Sequence, residues 1–300
     1  MLYASIKGNP FETWDSISGY RIKPNGRLQP LPGSPFKVAG GSLAVDPFNR
    51  FLYAATDAQN GSVSVYRIHA NGALEPVPGS PFPSGSFPAS VTTDPFGRFV
   101  YVANFGSKDI SAYRVLENGT LIPVLGSPFP ILGPGEPITV LADPLGRFLY
   151  AANFGAGDVS SYRIGLDGSL TPLAGSPSPF SPAWYENMAI DRSGRFLFAL
   201  EGVASLVTFR INNTTGLPEI IDLNSLGDIN DNNPVGVAVD PAGKFVYEGN
   251  ANGIVEPGPM TLRGFQISPT GTLKPLPGSP FFPLGAGEGF PYWMVVAPDK

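Results

Sequence analysis

Short apolar runs alternate with clusters of Gly, Pro, Asn and Asp along the whole chain, and the apolar runs have the period of a β-strand. Val63-Ser64-Val65-Tyr66-Arg67-Ile68 alternates as a sheet strand does, and Arg50-Phe51-Leu52-Tyr53-Ala54-Ala55 is rich in strand formers. Between such runs stands Asp-Pro-x-Gly, a tight turn in which Asp accepts backbone hydrogen bonds, Pro presets φ and Gly tolerates positive φ. Asn25-Gly26, Asn71-Gly72, Asn118-Gly119 and Asp167-Gly168 each predict a two-residue hairpin. The segment that follows, Leu-x-Pro-Leu or a close variant, places proline in a strand, which fits only an outer edge with no donor needed on its free side.

These elements recur as a unit. The turn aspartates Asp46, Asp94, Asp143, Asp191 and Asp240 are spaced by 48, 49, 48 and 49 residues. Each copy reads as four short antiparallel strands with the edge strand last, which predicts an all-β fold, a single β-propeller of six four-stranded blades. Blade 1 takes residues 1–40 plus 286–300, and the others run at about 41–88, 89–136, 137–184, 185–233 and 234–285. The stretch Pro291–Pro298 reads as a first strand entering its turn and Met1–Ser5 as a second strand, so pairing of the N- and C-terminal strands is expected to close the ring and remove the free edges.

Composition narrows the function classes. Hydrophobic residues make up 42% and charged residues 14%, enough apolar material for a large core with a sparsely charged surface. Net charge is -5 and no basic run exists, which argues against nucleic acid as a partner. No apolar stretch reaches the roughly 18 residues of a membrane span. Cysteine is absent, so disulfides and thiolate chemistry are excluded. The start of the chain does not read as a signal peptide, and the compartment stays open between periplasmic or extracellular and cytoplasmic. A monomer is expected.

The segments Phe99-Val100-Tyr101-Val102-Ala103-Asn104 and Phe148-Leu149-Tyr150-Ala151-Ala152-Asn153, with the Asp-Pro-x-Gly-Arg turns before them, resemble the lactonase-type propellers, the family of 6-phosphogluconolactonase and its YVTN-repeat relatives. The resemblance covers nearly the whole chain and implies sugar-lactone hydrolysis, in a fold whose usual blade number is seven where six copies are counted here. The family's catalytic residues match no positions in this sequence.

Chemistry is expected in the loops between strands two and three and between blades, where the copies differ most. The single histidine, His69, falls beside a hairpin at the rim, so a Ser-His-Asp triad has no base available and a His-rich metal site is excluded. The inter-blade loops hold Glu136, Glu186 and Glu288 at similar places in three blades, and these are the candidate catalytic carboxylates that would activate water. Trp184, Tyr185 and Tyr292, with Asn104, Asn153, Asn250, Lys7 and Lys37, are candidate substrate-binding residues. The three asparagines read first as caps of their own loops; a ring of amide oxygens around a calcium ion in the channel is the alternative, and no cofactor or metal is otherwise expected. Nearly every Arg falls in a repeated slot and reads as a solvated rim charge, which makes a phosphorylated substrate doubtful. Two functions remain: a lactone hydrolase acting on a small sugar-like lactone at the channel mouth, or a non-catalytic propeller binding a protein, peptide or glycan through one face.

Overall fold

The computed structural model describes residues 1–7, 14–23, 27–37, 41–56, 58–179, 185–201, 205–225, 234–250 and 261–280. Every regular element among them is a β-strand, and the strands fall into six sheets whose order follows the chain. The first holds β1 (Leu2–Lys7), β2 (Trp14–Ile22) and β3 (Leu28–Pro30). The second holds β4 (Ser42–Val45), β5 (Phe51–Thr56), β6 (Ser62–Ile68), β7 (Leu74–Pro76) and β8 (Phe82–Pro83). The third repeats this with β9 (Pro88–Thr93), β10 (Phe99–Asn104), β11 (Asp109–Val115), β12 (Leu121–Pro123) and β13 (Phe129–Pro130). The fourth set is β14 (Glu136–Ala142), β15 (Phe148–Phe154), β16 (Asp158–Ile164), β17 (Leu170–Pro172) and β18 (Ser178–Pro179). The fifth and sixth are β19 (Tyr185–Ile190), β20 (Phe196–Glu201), β21 (Ser205–Ile211), β22 (Pro218–Ser225), and β23 (Pro234–Val239), β24 (Phe245–Asn250), β25 (Thr261–Ile267), β26 (Leu273–Pro275). The fold is an all-β propeller. The C-terminal partner expected for β1 lies in 281–300, outside the described residues.

The chain divides into two compact units. The first comprises Met1–Ile131, Glu136–Ala142 and Ile164–Leu170; the second Leu132–Gly135, Asp143–Arg163 and Thr171–Lys300. In the first, one apolar core joins Phe51, Tyr53, Val63 and Val65 of the second sheet to Val91, Val100, Val102 and Tyr113 of the third. In the second unit, Phe196, Phe198 and Leu206 pack with Val237, Val246 and Phe265 of the next sheet. Sheets thus bury one another's faces, which no four-stranded sheet does alone.

The repeated polar residues build the joints. The Asp94 carboxylate is fully buried and accepts from the backbone N–H groups of Arg98 at 2.5 Å and Phe99 at 2.9 Å, while Arg98 Nε donates to its other oxygen at 3.0 Å. Asp46 with Arg50 and Asp143 with Arg147 do the same. These arginines are therefore not merely solvated rim charges. Arg50 also donates to the carbonyl of Gly97 in the next turn (3.1 Å), because its guanidinium fork reaches a neighbour's backbone while holding its own carboxylate, and Arg67 donates to that of Asn118 in the next hairpin (3.2 Å).

Two features go beyond the four-strand reading. The Gly-Ser-Pro-Phe segment leads into a fifth strand of two residues, so that β6 carries β7 on one half and β8 on the other. At the break a serine hydroxyl takes over the ladder: Gly19, Val65, Ala112, Ser161 and Gly264 donate their N–H groups to Ser34, Ser80, Ser127, Ser176 and Ser279, at 2.7–3.1 Å. The Ser–Pro bonds that follow these serines are cis. The fifth sheet lacks the Gly-Ser-Pro text, and there the edge strand β22 runs eight residues along β21.

Candidate functional site

A repeated bulge sets the geometry where the first strands β9, β19 and β23 begin. In β9, Pro88 pairs with Asn104 and Ser90 with Ala103, leaving Ala89 extra; in β19 the extra residue is Glu186, and in β23 it is Val235. Such a bulge re-aims the residues at the head of the strand. Counting back from the turn aspartates, Phe87 lies seven residues before Asp94, Glu136 seven before Asp143 and Trp184 seven before Asp191. The backbone agrees: Val91 donates to Ser42 Oγ and Val140 to Ser90 Oγ, both at 3.2 Å, which makes Val91 and Val140 equivalent. Glu136 therefore matches Phe87 and Trp184. Glu186, at the bulge two residues later, does not share its position, contrary to the expectation from sequence. The two glutamates differ by two residues when each is counted back from its own turn aspartate, Asp143 or Asp191.

Within the first unit the structure brings together Glu136, Lys108, Asn104 and Phe87. Lys108 Nζ lies 2.5 Å from Glu136 Oε1, with the lysine side chain about half exposed and the glutamate one-quarter exposed. Lys108 follows the tight turn that Asn104 opens, its N–H bonded to the Asn104 carbonyl at 3.0 Å, and it has φ +57°, a left-handed conformation that costs a non-glycine residue energy. Its own carbonyl accepts from Ile131 at 3.1 Å, which ties the inter-sheet segment leading to Glu136 back to the turn. The Asn104 side chain is fully buried; its Nδ2 donates to Asp109 Oδ1 at 2.6 Å and Ser111 Oγ at 2.9 Å. This is the capping role. The amide oxygen, Oδ1, accepts no hydrogen bond from the described residues.

The second unit holds the matching cap. Asn153 is fully buried, and its Nδ2 donates to Asp158 Oδ1 and to Ser160 Oγ at 2.8 Å, while Ser160 Oγ accepts from the Leu132 N–H at 3.2 Å. Burial raises the Asp158 carboxyl above the usual carboxylate range, and the Asn153 bond opposes that shift. Among the described residues no group of three or more His, Cys, Asp or Glu is placed to hold a metal ion. Asn250 ends β24 opposite Pro234 and Thr261, and Tyr185 starts β19 opposite Glu201. Lys7 ends β1 opposite Trp14, and Lys37 is exposed beyond the first sheet. The side chains of Lys7, Tyr185, Glu186 and Asn250, and the whole of Trp184, Glu288 and Tyr292, lie outside the described residues. His69 is exposed at its hairpin, 2.8 Å from Glu75.

Sequence reasoning passed over one acid. Glu248 is fully buried in β24, in register with Val237 on one side and Arg263 on the other. The same place holds Ala54, Val102, Ala151 and Ala199 in other sheets, so the signal was a charge in a slot that is otherwise apolar. A carboxylate there needs a partner, and the register offers the Arg263 guanidinium.

Comparisons with known proteins agree with this architecture. Residues 13–125 match the family model described as Lactonase, 7-bladed beta-propeller. A 6-phosphogluconolactonase candidate from Bacteroides fragilis is similar in structure, with a TM-score of 0.76 at 18% identity over 90% of this chain and 78% of that one. A second, from Bacteroides uniformis, gives 0.75 at 18% over 91% and 80%. The periplasmic gluconolactonase of Pseudomonas aeruginosa gives 0.69 at 22% over 88% and 78%. None of the curated proteins compared with the sequence matches it. The chain thus shares the β-propeller fold of these structures, and its residues 13–125 are similar to the lactonase family.

Proposed function

We propose that the chain hydrolyses a small sugar-type lactone, with Glu136 as general base and Lys108 as the cation beside it. The observation that carries this reading is the 2.5 Å contact between Lys108 Nζ and Glu136 Oε1, partly open to solvent at the head of a first strand. The likeness to the lactonase family model and to the three gluconolactonase-type structures supports the substrate class. In this scheme a water oxygen adds to the lactone carbonyl carbon and gives its proton to the Glu136 carboxylate. The carbonyl electron pair moves to oxygen, where the Lys108 ammonium steadies the charge. Collapse of the adduct breaks the bond to the ring oxygen, and Glu136 returns the proton to that oxygen. The product is an open hydroxy acid. Nothing but water is consumed.

Glu186, Glu288, Trp184, Tyr185, Tyr292, Asn250, Lys7 and Lys37 stay in the proposal as candidates on their sequence alone, as does reaction at the channel mouth. A neutral sugar lactone suits the site better than a phosphorylated one, since Lys108 is already committed to Glu136 and the turn arginines to aspartates and carbonyls. The test is a panel of sugar lactones assayed with wild type, Glu136→Gln and Lys108→Met. Loss of about 100-fold or more in kcat for Glu136→Gln is expected. An unchanged rate in that variant removes Glu136 from the chemistry. A wild type that opens no lactone faster than buffer favours the alternative, a binding propeller, for which Leu125 and Leu166, each more than nine-tenths exposed, offer apolar contact points.

A further inference from the structure

We infer that Phe87 is a binding residue of this site, a stacking platform for the apolar C–H face of a sugar-like ring; the inference rests on the lactone reading of Glu136 and Lys108. Phe87 has φ +49°, a conformation open to glycine and costly for a bulky aromatic. Its backbone explains the angle and not the side chain. The Phe87 N–H donates to the Ala58 carbonyl at 2.8 Å, and its carbonyl accepts from Phe105 at 2.9 Å, so the residue ties together the loops of two successive sheets. Glycine would make both bonds without strain.

The phenyl group adds little to the core, because the residue is 43% exposed. Its ring lies against Gly106, where an added Cβ would come within 2.6 Å of Phe87 Cδ2. Gly106 is two residues before Lys108, and Phe87 holds in its sheet the place that Glu136 holds in the next. Other exposed aromatics are accounted for. Phe48 and Phe96 lie under the guanidinium groups of Arg50 and Arg98, at 5.2 and 4.8 Å from the ring centroid, where they support the turns. No cation of the described residues lies over Phe87. A strained backbone kept with an open ring, against the loop that carries Lys108, is the pattern of a contact surface and not of packing. Rings with one apolar face and a polar rim fit it: the face rests on Phe87 while the rim oxygens reach Lys108 and Glu136.

Phe87→Gly and Phe87→Tyr decide the matter through thermal melting together with lactone kinetics. Phe87→Gly is expected to melt at or above the wild-type temperature, with KM raised about tenfold and kcat changed far less, and Phe87→Tyr to restore KM. A lower melting temperature for Phe87→Gly with KM unchanged shows a packing residue and overturns the inference, leaving the lactonase reading in place. If wild type opens no lactone, the lactonase reading fails by itself, and the platform is then judged by calorimetric titration with D-glucose and D-gluconate. Binding that weakens about tenfold in Phe87→Gly upholds the platform. Equal binding in both proteins, or none in wild type, overturns it.

Discussion

Tyr101, on the second strand of its sheet, donates its buried hydroxyl to the carbonyl of Gly168, the hairpin glycine of the following sheet, at 3.1 Å. Tyr3 meets Gly72 at 2.8 Å and Tyr150 meets Gly216 at 2.9 Å in the same way. The glycine is doubly constrained. Gly168 has φ +87°, and a Cβ added to it would come within 2.4 Å of the Phe99 ring. Tyr101→Phe is therefore expected to cost about 1 kcal/mol of stability. Gly168→Ala should cost more, about 2 kcal/mol or above, because strain in the left-handed region and overlap with Phe99 add. Urea denaturation of the two variants checks the ranking.

Asp94 and Arg98 are expected to differ as well. Asp94 Oδ1 holds two backbone N–H groups, and the carboxylate is buried; Arg98 is 42% exposed. Asp94→Ala orphans the turn and should cost roughly 3 kcal/mol, whereas Arg98→Ala should cost roughly 1 kcal/mol. Equal losses in equilibrium unfolding would contradict this account of the turn.

Ser127→Ala removes the acceptor of the buried Ala112 N–H at 2.9 Å. An unpaired buried donor costs about 1–3 kcal/mol. The Ala112 amide should also lose its protection in hydrogen exchange, while amides of the fifth sheet, which has no such serine, keep theirs.

Asp158 supplies a pH signature. Burial raises its folded-state carboxyl above the usual carboxylate range. A raised acid favours the folded protein fully below the unfolded pKa, and that contribution is lost as pH rises through the folded pKa. Asp158→Asn removes the titration and keeps an acceptor for Asn153. The stability of Asp158→Asn relative to wild type should therefore rise with pH from about 4 upward, read from melting temperatures across pH 3–7. A gap that stays constant with pH would show that Asp158 is not perturbed by its burial.

Much of this was legible in the residues. Asp-Pro-x-Gly and Asn-Gly announced the turns at Asp46 and Gly72 because each demands a backbone that few residue types adopt. The four-strand unit followed from alternation. The offset between Glu136 and Glu186 was legible by counting back from Asp143 and Asp191, whereas the bulge at Glu186 was not, since an extra residue leaves no mark on alternation in so short a strand. The two-residue strands β8, β13 and β18 fell below the length at which a period can be read. The arginines were misjudged because a partner on the neighbouring sheet is 47 to 51 residues away in sequence, a distance at which only coordinates can pair Arg50 with Gly97 or Arg67 with Asn118. Glu136 was found as an acid, and Lys108 stands in the loop that follows Asn104. Their pairing needed the turn between them.

The tyrosine–glycine joint has a polarity: the first, third and fourth sheets each offer a hydroxyl donor forwards, to the hairpin glycine of the sheet that follows. Such couplings are interchangeable, like links of a chain cast from one mould. A gene segment of one repeat length, duplicated or lost, brings or removes a matched donor and acceptor together and leaves every remaining joint intact. Propellers joined this way can gain or shed whole blades in evolution by unequal recombination, without any new surface having to be invented.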